Sequence, residues 1–183
     1  LLAASCATVP PPDHTRRDAV LEEYFTPEAA RILRQVPLHY GGAQGFGGVA
    51  IGDDTGSRLL GFFQGFGNRR QVILNFRSDD MTVFHEDIHQ AQYSGLIDER
   101  LFRERYERLK RDPHYEGIPR RWDRYLRRVY ARSPAIGALL YGRGITRERI
   151  AFLIEGWMMG SYELPDYMLE VYERAVRLEA RKD

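Results

Sequence analysis

The chain has 183 residues, 43% of them hydrophobic and 29% charged, with a formal net charge of +1. Those proportions fit one globular domain long enough to bury a single core. Near neutrality excludes an overall pull toward nucleic acid or acidic partners, the absence of an apolar run of ~18 residues excludes a membrane span, and a lone cysteine excludes an internal disulfide.

The first element is "LLAASC", small apolar residues ending in Cys6, followed by the Pro-rich polar stretch "ATVPPPDHT". It resembles the end of a bacterial lipoprotein signal peptide, in which the cysteine becomes the lipidated N-terminus. That resemblance implies a membrane anchor at Cys6, a place at the bacterial cell envelope on its periplasmic or extracellular face, and a semi-rigid tether through Pro10–Pro12. Residues 1–16 are therefore expected to be signal-peptide remnant and tether, and residues 17–183 a single domain.

From Asp18 to about Gln35 the apolar residues recur at helical spacing, with Pro27 opening a second helix. Residues 41–67 hold ten of the seventeen glycines, interleaved with phenylalanines. This suits turns and short strands, "GGVAIG" and "SRLLGFF" among them. "RQVILNFRS", Arg70–Ser78, is a firmer strand with a β-branched and aromatic middle. The pattern then turns helical. Ser78, Asp79 and Asp80 offer capping oxygens, and Gly95 stops the helix. Further helices are predicted over Asp98–Lys110 and Arg120–Ala131, then in "GITRERIAFLIEGWMMGSYE" with Thr146 as its cap, and from Pro165 to about Arg181. The expected fold is α+β, a mainly helical domain beside a small antiparallel sheet. Between Arg100 and Arg132 twelve Lys or Arg face five Asp or Glu. Such an excess reads as solvated helix faces, or as a surface that meets anionic lipid or envelope polymer.

The chemistry concentrates in "TVFHEDIHQAQYSG", Thr82–Gly95. On a helix, His85 and His89 stand one turn apart on one face and can point both imidazoles at one ion. Glu86 is close enough to take a proton from a water held there and pass it to a leaving amine. Zinc in such a site wants a third protein ligand. No residue fills a metzincin or thermolysin-like spacing: Gly95 stands at the first position, and Glu107 and Arg108 straddle the second. Glu155, a lone carboxylate among Phe152, Leu153, Ile154, Trp157, Met158 and Met159, is the better candidate, because burying it unpaired would be costly. Pairing with an arginine is the rival explanation for it, and His114 is a fallback ligand. Cobalt or nickel would accept the same donors.

"FHEDIHQAQ", followed after about 65 residues by "LIEGWMMGSYE", resembles the gluzincin metallopeptidases, over roughly Gln71–Glu163. The resemblance implies a zincin-like helix after a strand, with zinc held by His85, His89 and Glu155 and Glu86 as general base. Many members place an acidic residue four positions beyond the third ligand to orient a histidine. Here that position is Met159, leaving Glu163 or Asp87 for the task. An oxyanion-steadying side chain is also common in the group, and Tyr162, seven residues after Glu155, is the first choice, ahead of Tyr167 and His114. The expected function is zinc-dependent hydrolysis of a peptide or protein substrate extended along the Arg70–Ser78 strand. The alternatives are an inactive zinc-site lipoprotein serving as a binding or structural module, and a metal-free helical envelope protein.

Overall fold

The computed structural model describes residues 14–40, 61–66, 69–74, 79–132 and 143–181. The lipid-anchor reading at Cys6, the tether and the "GGVAIG" strand lie outside these. Helices α1 (His14–Tyr24) and α2 (Pro27–Leu33) are divided by Thr26, whose side chain accepts the Ala29 amide, while Pro27 occupies a first-turn position where no amide is needed. The expected tether boundary at 16/17 falls inside α1. Then come strands β1 (Leu38–Tyr40), β2 (Gly61–Phe66) and β3 (Arg69–Leu74). Helices α3 (Asp80–Tyr93), α4 (Glu99–Arg111), α5 (Gly117–Arg132), α6 (Arg143–Met158) and α7 (Asp166–Leu169) follow, and a 3-10 turn over Leu178–Ala180 ends the described chain. None of the described helices is long and apolar enough to cross a membrane.

The expectation of an α+β domain built beside a small antiparallel sheet is overturned. The described residues are mostly helical, in seven helices. Their core is helix packed on helix, and among the described side chains only Leu38 and Val72 come into it from strands. The strands themselves form a short mixed ribbon, order β1-β3-β2, with β1 parallel to β3 and β2 antiparallel to it. Parallel pairing joins segments distant in sequence, so no local alternation announces it. Over its described length β3 is the middle strand, paired with β2 along Arg69–Leu74 and with β1 along Val72–Leu74, so the expected substrate track is already occupied on both sides at Val72–Leu74.

Helix α3 runs through the core. Val83, Phe84, Ile88 and Ala91 are fully buried, and the Phe84 ring sits against Tyr24 at 5.4 Å and Phe25 at 5.3 Å. Asp79 caps the helix start by accepting the Thr82 amide at 2.7 Å. Gly95 ends it at φ +72°, a left-handed conformation that costs glycine little. Helix α6 packs along α3 with Ile150, Ala151, Leu153, Ile154, Trp157 and Met158 buried.

The helix expected from Pro165 to Arg181 is interrupted. Only Asp166–Leu169 is α-helical. Beyond it, Thr26 N donates to Ala175 O at 3.0 Å and Arg177 N to Tyr24 O at 2.8 Å, and Phe25 bridges Val176. These bonds to the α1–α2 junction pull Val176 and Arg177 out of helical geometry, so tertiary pairing overrides local propensity.

Gly156 has a packing reason. The Tyr162 hydroxyl folds back over α6, 2.8 Å from Leu153 O and 3.3 Å from Phe152 O, and accepts from Trp122 Nε1 at 2.9 Å. A Cβ at Gly156 would lie 2.5 Å from that hydroxyl. Gly156→Ala should therefore destabilise the fold by about 1–3 kcal/mol through overpacking, despite alanine's advantage of about 1 kcal/mol within a helix. A thermal melt checks it: Tm falls by several degrees, and an unchanged or raised Tm contradicts the packing.

Candidate metal centre

Two helices build the site. Helix α3 supplies His85, Glu86 and His89. Helix α6 supplies Glu148, Phe152 and Glu155, which at i, i+4 and i+7 share one stripe. The apolar residues beside them draw the two stripes together, leaving His85 12%, Glu148 19% and Glu155 21% exposed in their side chains.

Glu148 presents Oε2 to His85 Nε2 at 3.5 Å and Oε1 to His89 Nε2 at 3.3 Å. On the far side of the ring, His85 Nδ1 is 2.8 Å from Glu155 Oε2. A ring that donates Nδ1–H to Glu155 keeps a lone pair on Nε2, and that lone pair faces a carboxylate. Positive charge is needed between them. A second proton is one way to supply it: burial alone would depress His85, but its hydrogen bonds to Glu148 and Glu155 raise it well above the ordinary histidine value. Burial likewise works against an ionised Glu148, yet the His89 and His85 charges hold it far below the usual carboxylate range.

A metal ion is the other way. His85, His89 and Glu148 can each bring one ligand atom within 4.8 Å of the others, and they form the group among the described residues able to hold an ion. The donors fit. For bonds of about 2.0–2.1 Å the edge of a coordination tetrahedron is about 3.3–3.4 Å, and the two nitrogen–oxygen contacts, each to a different Glu148 oxygen, are close to that length. They are also longer than the ~2.7–2.9 Å of a good charge-assisted hydrogen bond.

Glu86 is 7% exposed, and among the described residues nothing hydrogen-bonds its carboxylate. Burial raises its carboxyl above the ordinary value, the His85 and His89 charges pull back, and Glu148 and Asp87 push up again.

The predicted site residues thus divide. His85, Glu86 and His89 come together, as a helical HExxH segment should. The carboxylate that faces both Nε2 atoms is Glu148, which sequence reasoning missed, while Glu155 sits behind His85 on its other nitrogen, where it can fix the tautomer. The signal for Glu148 was present: it lies seven residues before Glu155, on the same face. Its arginine neighbours disguised it as surface charge, but they turn aside, Arg147 to Glu99 and Arg149 to Asp123, each at 2.8 Å.

Tyr162, expected to steady an oxyanion, does not join the group. Its hydroxyl is engaged by the α6 backbone and Trp122, as described above. Asp87 is not a histidine partner either, being fully buried against Arg17. Glu163 pairs with Arg181. Among the remaining candidates, His114 lies against Tyr115, and the Tyr167 ring lies beneath Arg108. Tyr125 of α5 approaches the site through Phe152. It is 45% exposed, its ring packs on Phe152 at 5.3 Å, and Phe152 packs on His85 at 4.6 Å. Burial and the charges of Glu155 and Glu148 push its phenol up.

No known family model, curated protein or solved structure gave a significant match to the chain.

Proposed function

We propose that the chain is a zinc-dependent hydrolase of peptide bonds, with His85, His89 and Glu148 as ligands, Glu86 as general base and Glu155 as the carboxylate that orients His85. The observation carrying this reading is that His85, His89 and Glu148 bring one ligand atom each within 4.8 Å of one another, with Glu148 turning one oxygen to each Nε2 at 3.5 and 3.3 Å. Zinc in such a site polarises a substrate carbonyl and lowers the pKa of water.

The protein's own groups do the rest. Glu86 accepts the proton of the attacking water and returns it to the departing amine. Glu155 keeps the proton of His85 on Nδ1. An extended substrate would lie along β2, the outer strand of the ribbon that packs against α3. An envelope location through lipid on Cys6 is supported by "LLAASC" alone. The alternative of a zinc-holding module without turnover shares every ligand and differs only in what Glu86 does.

Metal content, measured by mass spectrometry on the full chain and two variants, tests the ligands. Wild type should carry one zinc per chain, Glu148→Ala should lose it, and Glu155→Ala should keep the stoichiometry with affinity weakened about 10–100-fold. Zinc lost only from Glu155→Ala would reverse the two roles. A wild type that takes up no metal when zinc is supplied would end the hydrolase reading.

A further inference from the structure

Helix α5, "GIPRRWDRYLRRVYAR", carries most of the basic excess noted above. Its inward side holds Leu126, buried, and Trp122, stacked on Phe152 at 5.0 Å. Asp123 is the only acid in the helix, and it is consumed internally, accepting from Arg149 at 2.8 Å and Tyr106 at 3.1 Å. The outward side presents Arg121, Arg124, Arg127 and Arg128, all exposed. Arg121 lies over the Trp122 ring at 5.7 Å, and among the described residues none of the four has a carboxylate partner. Positions 121, 124, 125 and 128 form one stripe, so like charges stand at i+3 and i+4, an arrangement that costs helix stability. In a chain of net charge +1, such a face is a local concentration of charge.

Its location gives it meaning. Tyr125 is the one uncharged member of the stripe, and it touches Phe152, which touches His85. The arginines and the metal group therefore share a wall, and a chain passing over Tyr125 comes within reach of both. Guanidinium forks match carboxylates bidentately. Resting on the hydrolase reading, we propose that the outer face of α5 recruits acidic peptide segments and delivers them across Tyr125 to the metal group, so that the substrate class is an acidic, extended polypeptide. A peptide is favoured over a membrane or nucleic acid because the stripe is continuous with the reacting site.

The test uses the full chain loaded with zinc and carrying Glu86→Gln, so that binding is read without turnover. The probes are three fluorescent unstructured peptides: one rich in Asp and Glu, one neutral, one rich in Lys. The acidic peptide should bind at least about tenfold more tightly than the others, and more weakly as salt rises. Arg124→Glu/Arg128→Glu should remove that preference while zinc content and neutral-peptide binding stay unchanged. If charge reversal disturbs folding, Arg124→Gln/Arg128→Gln should reduce the preference in the same direction. Equal binding of the three peptides overturns the proposal, as does a preference that survives both double variants. So does binding of anionic vesicles or single-stranded DNA in place of the acidic peptide. Zinc content separates the two levels: a wild type without zinc removes the hydrolase reading itself, whereas a zinc-loaded protein blind to peptide charge removes only the role of α5.

Discussion

Glu86→Gln should leave zinc content and fold intact and lower peptide hydrolysis by about 10²–10⁴-fold, the usual contribution of a positioned general base. The change is isosteric and falls on a side chain that is 7% exposed, so packing is preserved. It touches none of the three ligands. It removes only the capacity to accept a proton, at a carboxylate that no described residue hydrogen-bonds and whose neighbours on α3 are the two histidines. The measurements are the metal content, the melting curve and the initial rate on the acidic peptide, taken together. Zinc retained with activity lost assigns Glu86 the proton transfer. Zinc retained with full activity removes Glu86 from the chemistry. No hydrolysis in the wild type, with zinc bound, favours the binding module.

The parts of this molecule that were legible in its sequence are those fixed by neighbours in the chain. Helix α3 begins and ends where Asp79 and Gly95 place it, because a side-chain cap and a left-handed glycine act within one turn. The HExxH spacing brings His85, Glu86 and His89 together by helix geometry alone. What escaped depends on contacts between distant segments. The parallel pairing of β1 with β3 unites residues 38–40 with 72–74, and no alternation within either stretch encodes it. The last helix yields to hydrogen bonds with a junction some 150 residues away (Thr26 with Ala175, Tyr24 with Arg177). Placing Tyr162 on the face of Glu155 assumes that α6 runs on through Gly160. That glycine instead sits at φ +68°, the helix ends at Met158, and the tyrosine turns back onto Gly156. Glu148 escaped for the opposite reason, since flanking arginines are the ordinary mark of a solvated turn and only the fold reveals that they point away.

Arg17→Met should cost about 3–5 kcal/mol, the price of stranding a buried charge, which is a large share of the 5–15 kcal/mol that holds a typical domain together. Arg17 reaches from α1 into the core. Its Nε lies 3.2 and 3.0 Å from the two Asp87 oxygens, its Nη2 is 2.6 Å from Oδ1, and it also donates to Val36 O at 2.7 Å and Leu33 O at 3.0 Å. Asp87 has no exposed surface. Burial pushes its carboxyl up against the opposing pull of Arg17. Removing the guanidinium leaves that carboxylate and two backbone carbonyls without their donor. The double variant Arg17→Met/Asp87→Leu removes both charges and should recover a substantial part of the loss, since apolar replacements of buried pairs are often near neutral. Urea denaturation of the wild type, the two single variants and the double closes the cycle. A single variant that loses under 1 kcal/mol contradicts the buried pairing. Asp87 stands between Glu86 and Ile88 on α3, so the pair also locks the rotation of the helix that carries both histidines. The single variant should therefore bind zinc more weakly, under conditions where it remains folded, than the double variant, whose restored packing holds α3 in place.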